Sequence, residues 1–300
     1  MSQVRRIDVK TGFQCNNRCR FCVQGDKRFQ FGDKSTSEIK ALLAEGRRDA
    51  DEVVFTGGEV TIRKDLSELV RYARARGFRV IQIQTNGRML SHRPLVEELV
   101  EAGVTEFGPA LHGHTAQIHD ALTRSPGSFR QTVKGVRNVT SLGLPVVMNS
   151  VITKANFRSL PELAKLFVAL EVTQYQFAFV HPLGTAADNF RRIVPRLSEI
   201  QPYVLRGLDI GVQAGVRCMT EAVPLCFLPG MVDFAAEAII PRTKIFDAKM
   251  VVDDYTEFRL QQGKAKGEVC DRCLLDDRCE GPWREYPEHY GWDEFEPVTE

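Results

Sequence analysis

The sequence predicts an α/β fold: about six βα units in a row, followed by a smaller cysteine-rich extension. Three observations carry this. Strand-like and helix-like stretches alternate through the first 180 residues or so. Polar motifs fall where each strand ends. The eight cysteines cluster at the two ends of the chain, with none between Cys22 and Cys218. Repeated βα units imply a parallel sheet with right-handed crossovers.

Ile7 to Gly12 reads as the first strand and delivers the loop that carries Cys15, Cys19 and Cys22. Ser35-Thr36-Ser37-Glu38 is a capping box, opening a helix through about Ala44. Glu52–Thr56 reads as a strand that ends at Gly57-Gly58. Asp65 to Arg76 is amphipathic, with Gly77 as its stop. Arg79 to Gln84 is a strand ending at Thr85-Asn86-Gly87, and Leu95 to Glu101 a helix ended by Gly103. Val104 to Ala110 reads as a strand, followed by His112-Gly113-His114, and Phe129 to Leu142 as a helix ended by Gly143. Pro145 to Val151, Leu160 to Leu170 and Gln174 to Val180 complete the series as strand, helix and strand. From about Leu197 the alternation fades, and Glu280–Glu300 holds seven acidic residues against one arginine. We therefore divide the chain into residues 1–200 and 201–300.

Composition narrows the function classes. Hydrophobic residues make up 43% and charged residues 26%, ordinary for a globular chain. A net charge of +1 gives no bulk attraction to nucleic acid or membrane. The start lacks a signal-peptide pattern, and no run approaches the roughly 18 apolar residues of a membrane span. The expected location is cytoplasmic, where thiols stay reduced, so the clustered cysteines read as ligands rather than disulfides.

Cys15-x3-Cys19-x2-Cys22 offers three thiolates within one loop, enough for three irons of a cubane cluster and leaving the fourth open to chemistry. With Phe21 before the last cysteine, and with Thr56-Gly57-Gly58-Glu59 after the second strand, residues 5–200 resemble the radical SAM superfamily. The resemblance implies a partial (β/α)6 TIM-like barrel with its ligands at the C-terminal strand ends. It implies a [4Fe-4S] cluster on Cys15, Cys19 and Cys22 whose open iron binds the amino and carboxylate groups of S-adenosylmethionine. Gly57, Gly58 and Glu59 would approach the methionine amine, Phe21 the adenine, and Asn149 or Ser150 the ribose, although the last two also fit plain strand-end residues. Val60 departs from the family, where proline is common. The implied chemistry is reductive cleavage of S-adenosylmethionine to a 5′-deoxyadenosyl radical that takes hydrogen from a substrate. The resemblance also implies an electron donor such as flavodoxin or ferredoxin.

Cys270-x2-Cys273-x5-Cys279 resembles the SPASM and twitch extensions of that superfamily, with Cys226 as fourth ligand of one auxiliary [4Fe-4S] cluster. A zinc site completed by His289 is the alternative. Cys218 is left as another ligand, a hydrogen-atom donor or a buried thiol. His112, His114 and His181 would sit near the barrel mouth, one of them a general base for a substrate radical, or else a substrate contact or cap. His119, Asp120 and Lys154 are further candidates, while Arg71–Arg76 and Arg191-Arg192 read as solvated faces. The barrel begins almost at Met1, which points away from a preceding peptide-recognition or cobalamin-binding domain. A small molecule (a sugar, cyclitol or nucleoside) is therefore favoured over a peptide. A non-catalytic iron–sulfur or zinc protein in electron transfer or assembly is the competing class.

Overall fold

A computed structural model describes residues 5–299. Among the described residues, nine strands form one open arch. The first four are β1 (Arg6–Lys10), β2 (Glu52–Thr56), β3 (Val80–Thr85) and β4 (Glu106–Pro109). The next three are β5 (Val147–Ile152), β6 (Gln174–Phe179) and β7 (Arg217–Glu221). The last two are β8 (Thr243–Phe246) and β9 (Val251–Val252). One sheet runs β4-β3-β2-β1-β8-β9 and a second runs β5-β6-β7. Parallel bridges from Phe107 to Val146 and from Ala110 to Asn149 join them across β4 and β5. All pairings are parallel except β8 with β9. The sheet stays unclosed, as a partial barrel does.

Alternation along each strand separates two faces. Ile7, Val9, Val53, Phe55, Ile81, Ile83, Phe107 and Phe177 are buried beneath the helices. The opposite face is polar: Gln82 Nε2 donates to Glu106 Oε1 at 2.5 Å, and Gln176 donates to Glu221. Helix Leu66–Ala75 buries Leu66, Leu69, Val70 and Ala73, one stripe at helical spacing. The capping box of Ser35 and Glu38 forms as the sequence predicts, and the helix it opens runs Thr36–Gly46. β2 keeps its expected bounds, while the other expected strands shift at one or both ends by a residue or two. The largest shortening is β4, which pairs with β3 only over Glu106–Pro109.

The alternation also carries on past Leu197. Helix Leu197–Gln213 and β7 add a further βα unit, and β7 pairs along β6 from Arg217 to Glu221. On the far side of the arch β8 pairs in parallel with β1. The last hundred residues thus supply a strand to each flank of the sheet. Sequence periodicity hides this because β7 (Arg217-Cys218-Met219-Thr220-Glu221) and β8 are short and mixed in polarity. Among the described residues no helix is long and apolar enough to cross a membrane.

Candidate functional site

The loop after β1 owes its position to close backbone packing against the end of β2. Gly58 N donates to Gly12 O at 2.9 Å, and Glu59 N to Gln14 O at 2.8 Å. A Cβ at Gly57 would lie 2.3 Å from Gly12 O, and one at Gly58 2.1 Å from Gln14 O. Gly57 also sits at φ +132°, where a side chain is strained. The two glycines are therefore what lets the cysteine loop lie against β2.

Glu59 is buried, and its carboxylate is fully engaged within the protein. It accepts from Thr61 N (3.0 Å), Thr61 Oγ1, Thr85 Oγ1 (2.5 Å) and Asn86 N (2.6 Å). It ties the ends of β2 and β3 together. Asn86, thus anchored, places Nδ2 2.6 Å from Asn16 Oδ1 and 3.8 Å from Cys15 Sγ. Arg88 donates to Asn16 O and to Asn17 Oδ1 (3.0 Å). Thr185 Oγ1 donates to Cys19 O (3.3 Å) and Cys22 O (3.2 Å). Sequence reasoning missed Arg88 and Thr185. Only the Thr85-Asn86-Gly87 turn signalled this support, and Thr185 joins the loop across 163 residues of chain.

Cys15, Cys19 and Cys22 are half-buried and line one cavity of about 940 Å³ at the C-terminal ends of the strands. Asn17 N points at Cys15 Sγ at 3.3 Å. Burial raises the Cys19 thiol well above its ordinary range, and the thiolates of Cys22 and Cys15 add to the rise. Burial raises Cys15 as well. Three soft donors that repel one another as thiolates, around one cavity, fit a cationic iron–sulfur group that would supply the missing positive charge.

The second set converges elsewhere. Cys226 stands in the short turn Leu225–Phe227, Cys270 in the turn Glu268–Arg272, Cys273 just after it, and Cys279 after the turn Asp276–Arg278. All four line one small cavity of about 30 Å³ with Pro224, Leu275, Pro282 and Phe295. Backbone N–H groups of Leu225 and Gly281 point at Cys279 Sγ (3.5 and 3.4 Å), and Val298 N at Cys273 Sγ (3.4 Å). Burial pushes the Cys226 thiol up to about 12, helped by Cys279 and Cys273. His289 does not join them: its ring stacks on Phe190 at 3.9 Å. Among the described residues no three His, Cys, Asp or Glu side chains are gathered tightly enough for a single metal ion. The donor chemistry, four thiols and hydrogen bonds to sulfur, fits a closed iron–sulfur site.

The remaining candidates scatter. Asn149 lies on the inner face of β5 with its Oδ1 buried and unpartnered, a free acceptor. Ser150 corrects the sequence expectation. It shares the opposite face with Met148 and Ile152, wholly buried, because adjacent strand residues point apart. Phe21 is buried with its ring edge-on to His112 at 4.7 Å. His112 is not at the mouth. Its Nδ1 accepts from Val151 N (3.1 Å), its backbone N–H donates to His119 Nδ1 (3.0 Å), and burial holds it neutral. Asp120 caps helix Ser128–Thr140 through Phe129 N and Gly127 N, both at 2.7 Å. Lys154 donates to Arg191 O at 2.7 Å. His114 Nδ1 is buried without a partner.

His181 stacks on Trp283 (3.7 Å), and burial, with Lys264 nearby, lowers it to about 4. It therefore faces the C-terminal extension rather than an open mouth, with Nε2 3.8 Å from Glu285 Oε2. Cys218, on β7, turns toward helix Leu197–Gln213 and donates to Leu208 O at 3.3 Å. That leaves it a buried thiol away from both cysteine cavities, not a ligand or hydrogen donor.

Comparison with known proteins agrees with this geometry. The chain is 30% identical over 176 residues to AdoMet-dependent heme synthase of Oleidesulfovibrio alaskensis, covering 58% of this chain and 45% of that protein. It is 34% identical over 155 residues to Fe-coproporphyrin III synthase of Methanosarcina barkeri (51% and 38%). It is 32% identical over 190 residues to PqqA peptide cyclase of Rhodopseudomonas palustris (63% and 50%). The matches thus span half or less of those relatives. In fold it is similar to Streptococcus suis SuiB bound to S-adenosylmethionine, with TM-score 0.70 and 14% identity over 94% of this chain and 73% of that one. It is also similar to anSMEcpe with bound AdoMet, with TM-score 0.68 and 13% identity over 98% and 92%. Residues 9–167, over half of the chain, match the Radical SAM superfamily, and the protein belongs to that superfamily.

Proposed function

We propose that the chain is a radical SAM enzyme with two iron–sulfur sites: a catalytic [4Fe-4S] cluster on Cys15, Cys19 and Cys22, and an auxiliary [4Fe-4S] cluster on Cys226, Cys270, Cys273 and Cys279. The observation that carries this is the convergence of the thiols on two separate cavities, three on a roomy one and four on a small one. When bound, the first cluster and S-adenosylmethionine supply the reductive chemistry that yields a 5′-deoxyadenosyl radical and abstracts hydrogen from a substrate.

The chain's own residues position and shield. Gly57 and Gly58 allow the loop to lie against β2, Asn86, Arg88 and Thr185 hold its backbone, and Glu59 fixes the turn that carries Asn86. Asn149 Oδ1 offers an acceptor for a ribose hydroxyl. N–H groups aimed at Cys273 and Cys279 stabilise those sulfurs as thiolates. Thiols kept reduced for this purpose suit a cytoplasmic setting and an electron donor such as flavodoxin or ferredoxin. The zinc alternative loses His289, which lies on Phe190, but Cys226 would complete a four-thiol zinc site, so metal analysis separates the two.

Anaerobic reconstitution tests this. The expected result is about eight irons and eight sulfides per chain, with 5′-deoxyadenosine formed from S-adenosylmethionine under reducing conditions. Iron uptake without 5′-deoxyadenosine would leave the electron-transfer class standing instead. Zinc in the second site would remove the auxiliary cluster.

A further inference from the structure

The cavity over the three cysteines is unusually basic. Its wall includes five arginines, Arg18, Arg20, Arg28, Arg124 and Arg192, against one carboxylate, Asp26. Two of these have structural work within the fold. Arg28 Nη2 donates to Asn17 O at 3.0 Å, and Arg20 Nε to Ala121 O at 3.1 Å. The side chains of Arg18, Arg124 and Arg192 make no hydrogen bond or ion pair among the described residues.

The three unpaired cations come from separate elements that the backbone draws together. Arg18 N donates to Thr123 O at 2.9 Å and Arg20 N to Leu122 O at 3.0 Å. That ladder sets the cysteine loop beside the end of helix Ala116–Thr123, so Arg18 lies next to Arg124. Arg124 itself holds a left-handed backbone (φ +52°, ψ +39°) at the helix end, where glycine or asparagine is the comfortable residue. Arg192 arrives from the other side, on the short helix Phe190–Ile193 beyond β6. All three arginines are exposed, so solvent screens their mutual repulsion and leaves their donors open to an anion. Arginine rather than lysine at all three positions adds a fork of donors that matches carboxylate and phosphate oxygens.

Resting on the reading of this cavity as the catalytic one, we infer that Arg18, Arg124 and Arg192 form the recognition site for a small oxyanion-bearing substrate, its carboxylates or phosphates held at the mouth beside the cysteine loop. The cavity volume is within the range of small-molecule sites. The site selects by charge and planar geometry, and its affinity falls with ionic strength. A neutral sugar or cyclitol leaves the three cations unmatched, so the anionic forms of the small-molecule class are the ones favoured.

The test uses the reconstituted full chain and two probes, pyrophosphate and citrate, titrated calorimetrically at low and at high salt. Wild type is expected to bind at least one of them, more weakly as salt rises. Each of Arg18→Gln, Arg124→Gln and Arg192→Gln is expected to weaken binding about tenfold, the scale of one lost charge-assisted contact. Iron and sulfide content is read on every sample. If wild type takes up no iron, the reading of the cavity fails. If iron loads and the probes bind wild type no better than the triple variant, the anion site is overturned. A triple variant that binds the probes normally but is no longer reduced by an acidic flavodoxin also overturns it, in favour of a docking surface for the electron donor. A triple variant that loads less iron yet binds the probes normally overturns it too, because the arginines then only balance the thiolates.

Discussion

The two cysteine sites differ in what surrounds the sulfur. The first opens on about 940 Å³ ringed by arginines and polar backbone. The second leaves about 30 Å³ among prolines, Leu275 and Phe295. The first has three thiols from one eight-residue loop, and the second has four drawn from segments more than forty residues apart. An open site with an incomplete protein donor set leaves room for a substrate and a reactive ligand. A closed site with a full donor set suits an electron store or a structural clamp. The contrast teaches that the fuller thiol set goes with the smaller cavity here.

Removing the open site should have the largest effect. Replacing Cys15, Cys19 and Cys22 together by alanine is expected to lower 5′-deoxyadenosine formation at least about 1000-fold, about 4 kcal/mol in barrier, read by chromatography of the products. Cleavage that survives would show that the reactive site is not in this loop. Next, Cys270→Ala with Cys273→Ala should reduce iron from about eight to about four per chain, while the spectrum of the remaining cluster still responds to S-adenosylmethionine. Loss of all eight irons would mean the two sites are not independent.

Gly58→Ala places a methyl 2.1 Å from Gln14 O, so the loop must move. Unfolding free energy should drop by about 3 kcal/mol, and the three-cysteine site should load poorly while the four-cysteine site loads normally. Equal loss at both would contradict the packing argument. A last effect, of similar size, concerns pH. Burial lowers His119 to about 4. Its folded value lies below its unfolded value near 6.5, so the unfolded chain binds the extra proton first. Stability should therefore be full above about pH 6.5 and decline toward pH 4, by about 3 kcal/mol for this one group. His119→Gln should flatten that slope in urea titrations. An unchanged slope would assign the pH dependence to other groups, with His112, also lowered by burial, the first to examine.

Much of the fold was legible because local rules and tertiary packing agree. Glycines at 77, 87, 103 and 143 all take positive φ as helix or strand stops, and the Ser35–Glu38 capping box forms. The three-cysteine loop stood out as a candidate ligand set because Cys15, Cys19 and Cys22 lie within eight residues. Misreadings arose where the deciding contact is distant. Cys218 stood as ligand, hydrogen-atom donor or buried thiol, and β7 makes it the last by turning it onto Leu208 O; His112 was expected near the mouth, and Phe21, Val151 and His119 close around it instead. The arginines at 191 and 192 are both exposed, as a solvated pair is, and Arg192 also lines the cavity.

Spacing and alternation along the chain were enough to specify the βα order, the three-thiol loop and its glycine support, because these are set by neighbours a few residues apart. Folding alone brought Cys226 to Cys270, Cys273 and Cys279, laid β8 against β1, and set Arg18, Arg124 and Arg192 around one mouth. Those juxtapositions depend on the direction in which each strand leaves the sheet, and residue type does not encode that direction locally. The same three cysteines can therefore be read as ligands from the sequence, while what they are set to act upon is decided by side chains that arrive from elsewhere in the fold.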